Sequence, residues 1–344
     1  MSNTLFETAI PDEKLAAVRK ALSAAFGSCP VDDIQLTGGG LSTALVYRLR
    51  IDNKGYLLRI ITDVSELNDP HRQYICMNAA AAAGIAPRVY YTNEEDAVAI
   101  TDFITAIPLR NGFSSPDILI KELANTVKTM HALPLFPKLV NFMDGVDLFI
   151  RQFRELNMLP GHVTDECFDL YAEVQKHYPR YDTDLVSSHN DLNPNNILFD
   201  GKKIWVIDWE AAFQNDRYTD LAIIAKSYTQ GQQQEDLLLA TYFGEEPGEY
   251  RRARFYLMQQ ACHMYYAMAM LKLAAAAKPA GYLHDANMLL PDIRAFHIMI
   301  GSRQISLETY EAKLQYGKIL LNTMLANMQS ERFKQAVSVV VYGG

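Results

Sequence analysis

Between residues 30 and 104 the chain reads as short β-branched and aromatic runs broken by turn residues, and beyond 105 it reads almost wholly as helix. This change of hydrophobic period, from two to 3.6 residues, most restricts the fold, because strands and helices bury different faces. The stretch "IQLTGGGLSTALVYRLRIDNKGYLLRIIT" carries a glycine triplet and, in "DNKG", a hairpin turn. An alanine-rich helix follows Pro70 and stops at Gly84. Two further strands, "RVYYT" and "AVAITDFI", flank the charged turn "NEED". In front lies an amphipathic helix from Pro11 to Phe26 with Leu15, Val18 and Leu22 on one stripe. The pattern predicts a small sheet with one inserted helix, forming an N-terminal lobe over 1–104.

Past "TAIPLRNGFSSP", helices are predicted over 116–132, 145–157, 164–177, 231–243, 248–276 and 303–328. The strand-like insert among them is 185–208. With no internal repeat and no low-complexity linker, residues 105–344 are predicted to form one helical lobe carrying a hairpin.

The chain has 344 residues, 49% of them hydrophobic, enough for a large core and more than one domain. A formal charge of -8 argues against a nucleic-acid partner, which calls for a basic patch. Cys29, Cys76, Cys167 and Cys262 are isolated, without metal-ligand spacing, and fit reduced thiols in a cytoplasmic protein. The N-terminus lacks an apolar leader core. The run "ACHMYYAMAMLKLAAAA" is interrupted by His263 and Lys272 and is shorter than a membrane span, so it reads as a buried helix.

The insert contains "SHNDLNPNNILF" and then "IWVIDWE". Pro194 excludes a regular helix through Asp191 and Asn196, which makes this a loop. "ILFDGKKIWVIDW" reads as strand, Asp-Gly turn, strand, with Asp208 where the second strand ends. A loop Asn and a strand-end Asp offer hard oxygen ligands that suit Mg²⁺ and leave room for phosphate oxygens. Asp191 is then left to orient an attacking hydroxyl or take its proton. The lack of thiolates beside His189 argues against a zinc site.

The segment "SHNDLNPNNILF…IWVIDWEAAFQNDRYTDLA" resembles the catalytic segment of the aminoglycoside phosphotransferase and choline kinase superfamily, and "IDWE…NDRYTDLA" resembles its choline/ethanolamine kinase branch. The resemblance spans about residues 34 to 228. It implies an α+β, protein-kinase-like two-lobe fold with ATP and Mg²⁺ as cofactors. It also implies Asp191 as catalytic base, His189 as a brace of the loop, and Asn196 and Asp208 as metal ligands. Glu210 belongs to the motif with its role left open.

The resemblance extends into the N-terminal lobe. Gly38, Gly39, Gly40, Ser42 and Thr43 stand where the family covers the nucleotide phosphates, and glycine lets backbone amides approach phosphate. Arg59 in "YLLRII" stands where many kinases place a lysine against the phosphates; strand alternation puts it on the face of Leu57 and Ile61. Phe103 and Ile104 in "TDFITAIPL" stand at the adenine hinge. The helix "PHRQYICMNAAAAAGIAP" lacks the Glu that the family pairs with the strand cation. Its nearest acids are Glu66 and Asp69, so either one of these reaches Arg59 or the pair is absent. His131 in "VKTMHALP" reads as a packed helix-end residue.

The acceptor is expected in the helical lobe. Tyr256, Tyr265 and Tyr266 lie on one long helix, and aromatic faces hold ammonium groups. The resemblance thus implies a kinase for a small cationic alcohol such as choline or ethanolamine. Thiamine, an aminoglycoside or amino sugar, and a nucleotide-binding pseudokinase are the alternatives.

Overall fold

The computed structural model describes residues 4–37, 44–181 and 184–343. In chain order, helices α1 (Thr4–Ala9) and α2 (Asp12–Phe26) precede strands β1 (Asp33–Leu36), β2 (Leu45–Ile51) and β3 (Lys54–Ile60). Helix α3 (Pro70–Ala82) leads to β4 (Val89–Asn93) and β5 (Val98–Asp102). Helices α4 (Pro116–His131), α5 (Phe142–Leu156) and α6 (Gly161–His177) follow. Four short strands come next: β6 (Leu185–Ser188), β7 (Ile197–Phe199), β8 (Ile204–Val206) and β9 (Phe213–Asp216). The chain closes with α7 (Arg217–Tyr228), α8 (Gln232–Phe243), α9 (Glu249–Ala277), α10 (Ile293–Gly301), α11 (Tyr310–Met328) and α12 (Glu331–Tyr342).

Two compact units result. One comprises residues 1–139, 185–220 and 227–242, the other 140–184, 221–226 and 243–344. The first is built on a five-stranded antiparallel sheet in the order β1-β2-β3-β5-β4. Asp52 and Asn53 sit at φ 49° and 60° between β2 and β3, the left-handed pair that a two-residue hairpin turn needs. Alternation separates the sheet's faces. Tyr47, Leu49, Ile51, Tyr56, Leu58 and Ile60 join Val18 and Leu22 of α2 in one core. Arg59 therefore projects from the opposite face, where Ile61, Ala97 and Ala99 pack with Tyr74 of α3.

The predicted 185–208 insert holds two sheets rather than one hairpin. β7 and β8 pair antiparallel, and β6 pairs with β9, which follows Asp208 and was not foreseen. Three polar residues in "FQND", one of them the buried Asn215, mask a four-residue strand in any period count.

The second unit is helical. Gly317 lets α11 approach α9 closely, since a Cβ there would stand 2.6 Å from Leu271 Cγ. The helix predicted over 303–328 proves to be α11 alone, begun by the Thr309 cap, with α10 before it. Lys318 of α11 is fully buried and donates to the carbonyls of Asp285 and Asn287, both at 2.8 Å, fastening the 278–292 connection. Among the described residues no helix is long and apolar enough to cross a membrane, and all four cysteines are free thiols.

Candidate active site

The β7–β8 pairing assembles the centre. Ile197 opposes Val206, and the Ile207 N–H donates to the Asn196 carbonyl at 3.0 Å. This register sets Asn196 across from the residue next to Asp208. Asp208 itself has φ 65° and ψ 69°, and Asn190 has φ 65°. Asp and Asn tolerate this left-handed region better than other side-chain-bearing residues, which accounts for their use on either flank of the loop.

The Asp191 carboxylate is held by two amides: Asn193 Nδ2 and Asn196 Nδ2 each donate to Oδ2 at 3.0 Å. Because a carboxylate only accepts, the Asn196 nitrogen must face Asp191, which turns its Oδ1 the other way. His189 is fully buried and packs edge-on to Trp209, with ring centroids 4.8 Å apart. Its Nε2 lies 2.9 Å from the Ile207 carbonyl, and its Nδ1 accepts the Asp191 N–H at 3.3 Å.

Asp220, in the first turn of α7, organises the loop from behind. It accepts from the N–H groups of His189 (2.9 Å) and Asn190 (2.8 Å), from Ser188 Oγ (2.7 Å) and from His131 Nε2 (3.0 Å). Burial opposes its ionisation, yet the His131 hydrogen bond and the His131, His189 and Ser188 contributions hold its pKa below the ordinary value. His131 is completed by the Tyr242 hydroxyl at 2.8 Å, the setting of a packed helix-end residue. The sequence reading missed Asp220; its signal was an acid placed early in a helix inside the quoted "NDRYTDLA".

Arg59 reaches across from β3. Nη1 donates to Asp208 Oδ1 at 2.6 Å and Nη2 to Glu210 Oε2 at 2.5 Å. This corrects the expectation that Glu66 or Asp69 supplies the partner, or that there is none. Asp69 is occupied as the N-cap of α3, accepting from the N–H groups of His71 and Arg72, and Glu66 is exposed. The residue α3 sends to the centre is Arg72, buried, which donates to the carbonyls of Glu210 (2.9 Å) and Ala212 (2.7 Å). Its signal was a lone cation in an apolar helix.

Asp208 and Glu210 with Arg59 leave a net charge of -1, and the Asp191 carboxylate lies on the loop before β7. A hard divalent cation fits this oxygen-rich donor set of Asp208 carboxylate and Asn196 amide oxygen. Phe103 and Ile104 directly follow β5 and are half-buried; Arg48 lies 4.5 Å above the Phe103 ring. Gly38, Gly39, Gly40, Ser42 and Thr43 lie outside the described residues.

In the second unit the three tyrosines of α9 do not form one cluster. The Tyr256 hydroxyl donates to the Asn327 carbonyl at 2.9 Å, a structural tie to the end of α11. Tyr265 and Tyr266 pack together, their centroids 5.4 Å apart, some ten residues or about 15 Å further along. Lys226 Nζ stands 3.6 Å from the Tyr266 ring centroid.

The profile of the phosphotransferase enzyme family (APH) matches residues 33–256. Protein LicA of Haemophilus influenzae is 26% identical over 226 residues, 63% of this chain and 64% of that protein, so this chain spans just under two thirds of its relative's length. A choline/ethanolamine kinase family protein from Mesorhizobium loti superposes with a TM-score of 0.67 at 19% identity, covering 95% of this chain and 99% of the other. The choline kinase LicA of Streptococcus pneumoniae superposes with a TM-score of 0.59 at 16% identity, covering 78% and 94%. The antiparallel sheet, helices and α+β fold class expected from the resemblance are those of these structures.

Proposed function

Because this chain belongs to the phosphotransferase enzyme family, matched over residues 33–256, we propose that it phosphorylates the hydroxyl of a small cationic alcohol from Mg²⁺-bound ATP. The observation that carries the reading is the Asp191 carboxylate, oriented by Asn193 and Asn196 on a loop whose hairpin also sets Asn196 beside the Asp208 turn.

In this reading Asp191 receives the acceptor hydroxyl and takes its proton as the oxygen attacks the terminal phosphorus, whose bond to the bridging oxygen breaks so that ADP leaves. Asn196 Oδ1 and the Asp208 carboxylate would hold Mg²⁺, which would supply charge stabilisation for the phosphoryl group. Arg59 turns a fixed positive charge toward the phosphates, with Glu210 at its other side. The phosphates are assigned to Gly38, Gly39, Gly40, Ser42 and Thr43, and the base to Phe103 and Ile104. His189 acts by bracing the loop. Nucleotide binding is assigned to the lobe through residue 104 and acceptor binding to residues 105–344, in a reducing, cytoplasmic setting.

Choline and ethanolamine lead as acceptors, supported by the "IDWE…NDRYTDLA" segment and by the choline kinase names of the relatives. One observation favours a second reading. Lys226 already lies over Tyr266, so a further ammonium at that ring would meet like charge, as a neutral sugar hydroxyl would not. The test compares choline with dimethylbutanol, its neutral carbon isostere, by ADP formation at saturating Mg²⁺–ATP. A cation site favours choline by about tenfold or more in kcat/KM, equivalent to ~1.4 kcal/mol. Equal values end the cationic-acceptor reading, and turnover of neutral sugars alone moves the chain to another branch of the family.

A further inference from the structure

We propose that Glu210 is the positioning residue of Arg59, doing from the catalytic segment what a carboxylate on α3 would otherwise do. The inference rests on the phosphotransferase reading and concerns how its phosphate-facing cation is aimed.

A guanidinium is a flat fork on a long flexible stem, and it is aimed only when both ends of the fork are held. Here Asp208 holds Nη1 and Glu210 holds Nη2. The two anchors differ in their other duties. Asp208 is the proposed metal ligand, so its charge is shared once nucleotide arrives, whereas the Glu210 carboxylate keeps Arg59 as its cationic partner.

Helix α3 offers no carboxylate for this task. The side chain it turns toward Arg59 is Tyr74, 4% exposed, in the packed group with Ile61 and Ala99. The Tyr74 hydroxyl is buried without a hydrogen-bond partner, and burial pushes its pKa up, with Arg59 the leading charge acting against that rise. A phenol in this place fills space but cannot neutralise a guanidinium.

What α3 contributes instead runs through Glu210. Arg72 is 3% exposed and donates to the Glu210 main-chain carbonyl on one side and to Ala212 on the other. The chain of contacts is thus Arg72 to the Glu210 backbone, then the Glu210 side chain to Arg59. Compared with a helix carboxylate facing a strand cation, the helix end of the link has reversed its charge, and an acid two residues after Asp208 has been inserted between the partners.

The experiment is a double-mutant cycle on Mg²⁺–ATP affinity, read by calorimetry, with the Mg²⁺ concentration for half-maximal nucleotide binding as a second readout. Glu210→Gln keeps the shape and removes the charge-assisted bond. It should weaken nucleotide binding about fivefold, the difference between a charged and a neutral hydrogen bond. The Mg²⁺ half-saturation should stay in place. Arg59→Ala with Glu210→Gln should bind no more weakly than Arg59→Ala alone, because Glu210 acts through Arg59. Tyr74→Glu added to Glu210→Gln should recover part of the loss. Glu210→Asp, whose carboxylate is one methylene shorter, carries the same comparison where the Gln variant does not fold. Additive losses in the cycle, unchanged affinity in the Glu210 variants, or a shifted Mg²⁺ half-saturation marking Glu210 as a metal ligand would each overturn the proposal. A wild-type chain that binds no Mg²⁺–ATP overturns the phosphotransferase reading itself, before any variant is compared.

Discussion

The His189 ring lies 2.9 Å through Nε2 from the main-chain carbonyl of Ile207, the residue before Asp208. A carbonyl can only accept, so Nε2 carries the proton and Nδ1 is left to receive the Asp191 N–H. One neutral imidazole thereby ties the Asp191 loop to the strand that ends in the metal-ligand candidate. His189→Phe should fill the buried space and strand both backbone groups. At ~1–3 kcal/mol for each of the two unsatisfied groups, stability should fall by about 2–6 kcal/mol. Urea denaturation measures this; an unchanged midpoint would remove the bracing role.

Asp220→Asn tests the support behind the loop. Two carboxylate oxygens meet four donors, and an amide replaces one acceptor by a donor facing hydrogens. Removing one partner of such a buried charged set costs ~3–5 kcal/mol. The pH profile gives an independent check. With the folded pKa held below the ordinary value of 3.8, Asp220 stabilises the fold fully above about pH 4 and loses that contribution as pH falls through the lower folded pKa. In Asp220→Asn, unfolding against pH should be flatter over that acid window. An unaltered acid limb would contradict the assignment.

The motif's local parts were legible and its distant partners were not. Pro194, the Asp-Gly turn and the apolar run before Asp208 fix loop, hairpin and strand end over short spans of chain. Strand alternation also placed Arg59 correctly, on the face of Ile61. The partners of Arg59 were hidden because they lie 149 and 151 positions away in sequence and not on the neighbouring helix. Asp220 was hidden for a related reason. A helix-start acid is ordinarily a surface or capping residue, and only packing turns this one onto the N–H groups of residues 189 and 190. Tyr256, Tyr265 and Tyr266 share a helix in the sequence, but helical rise and rotation send Tyr256 to Asn327 and the others elsewhere.

His263 of α9 sets a second pH limit, within the other unit. Burial, reinforced by the charges of Lys226 and His297 and opposed by a hydrogen bond to the Gln259 carbonyl, lowers its pKa from 6.5 to about 3. The unfolded chain takes up this proton near pH 6.5 while the folded chain refuses it, so stability falls as pH drops from about 6.5 toward 3. The slope contributed is at most ~1.4 kcal/mol per pH unit. His263→Gln should flatten denaturation midpoints between pH 4 and pH 6.5, as measured in urea. A variant that loses stability with acid as steeply as wild type would show that His263 does not set this limit.

Arg59→Ala should raise KM for ATP and lower kcat, since a phosphate-facing charge is gone. Arg59→Lys should recover part of both, as a point charge without the bidentate fork. Steady-state ADP formation separates the two, and an Ala variant matching wild type would place Arg59 outside the reaction.

Asp208→Ala should abolish Mg²⁺-dependent turnover and shrink the gain in melting temperature that Mg²⁺–ATP gives, because ligand stabilisation follows affinity. The melting temperature without nucleotide should fall modestly, since Ala tolerates the left-handed backbone at 208 less well and Arg59 loses one of its two carboxylates. Normal turnover would refute the metal-ligand role.

The central claim is that Asp191 prepares an alcohol for attack on ATP. The direct measurement follows label from the terminal phosphate of ATP into choline, ethanolamine and neutral sugars, with wild type and Asp191→Asn side by side. The account predicts labelled phosphoester from a small cationic alcohol. In Asp191→Asn it predicts kcat lower by about 10²–10⁴, with ATP affinity nearly unchanged. Label transferred as fast by Asp191→Asn as by wild type, or lost ATP binding with turnover retained, would contradict it.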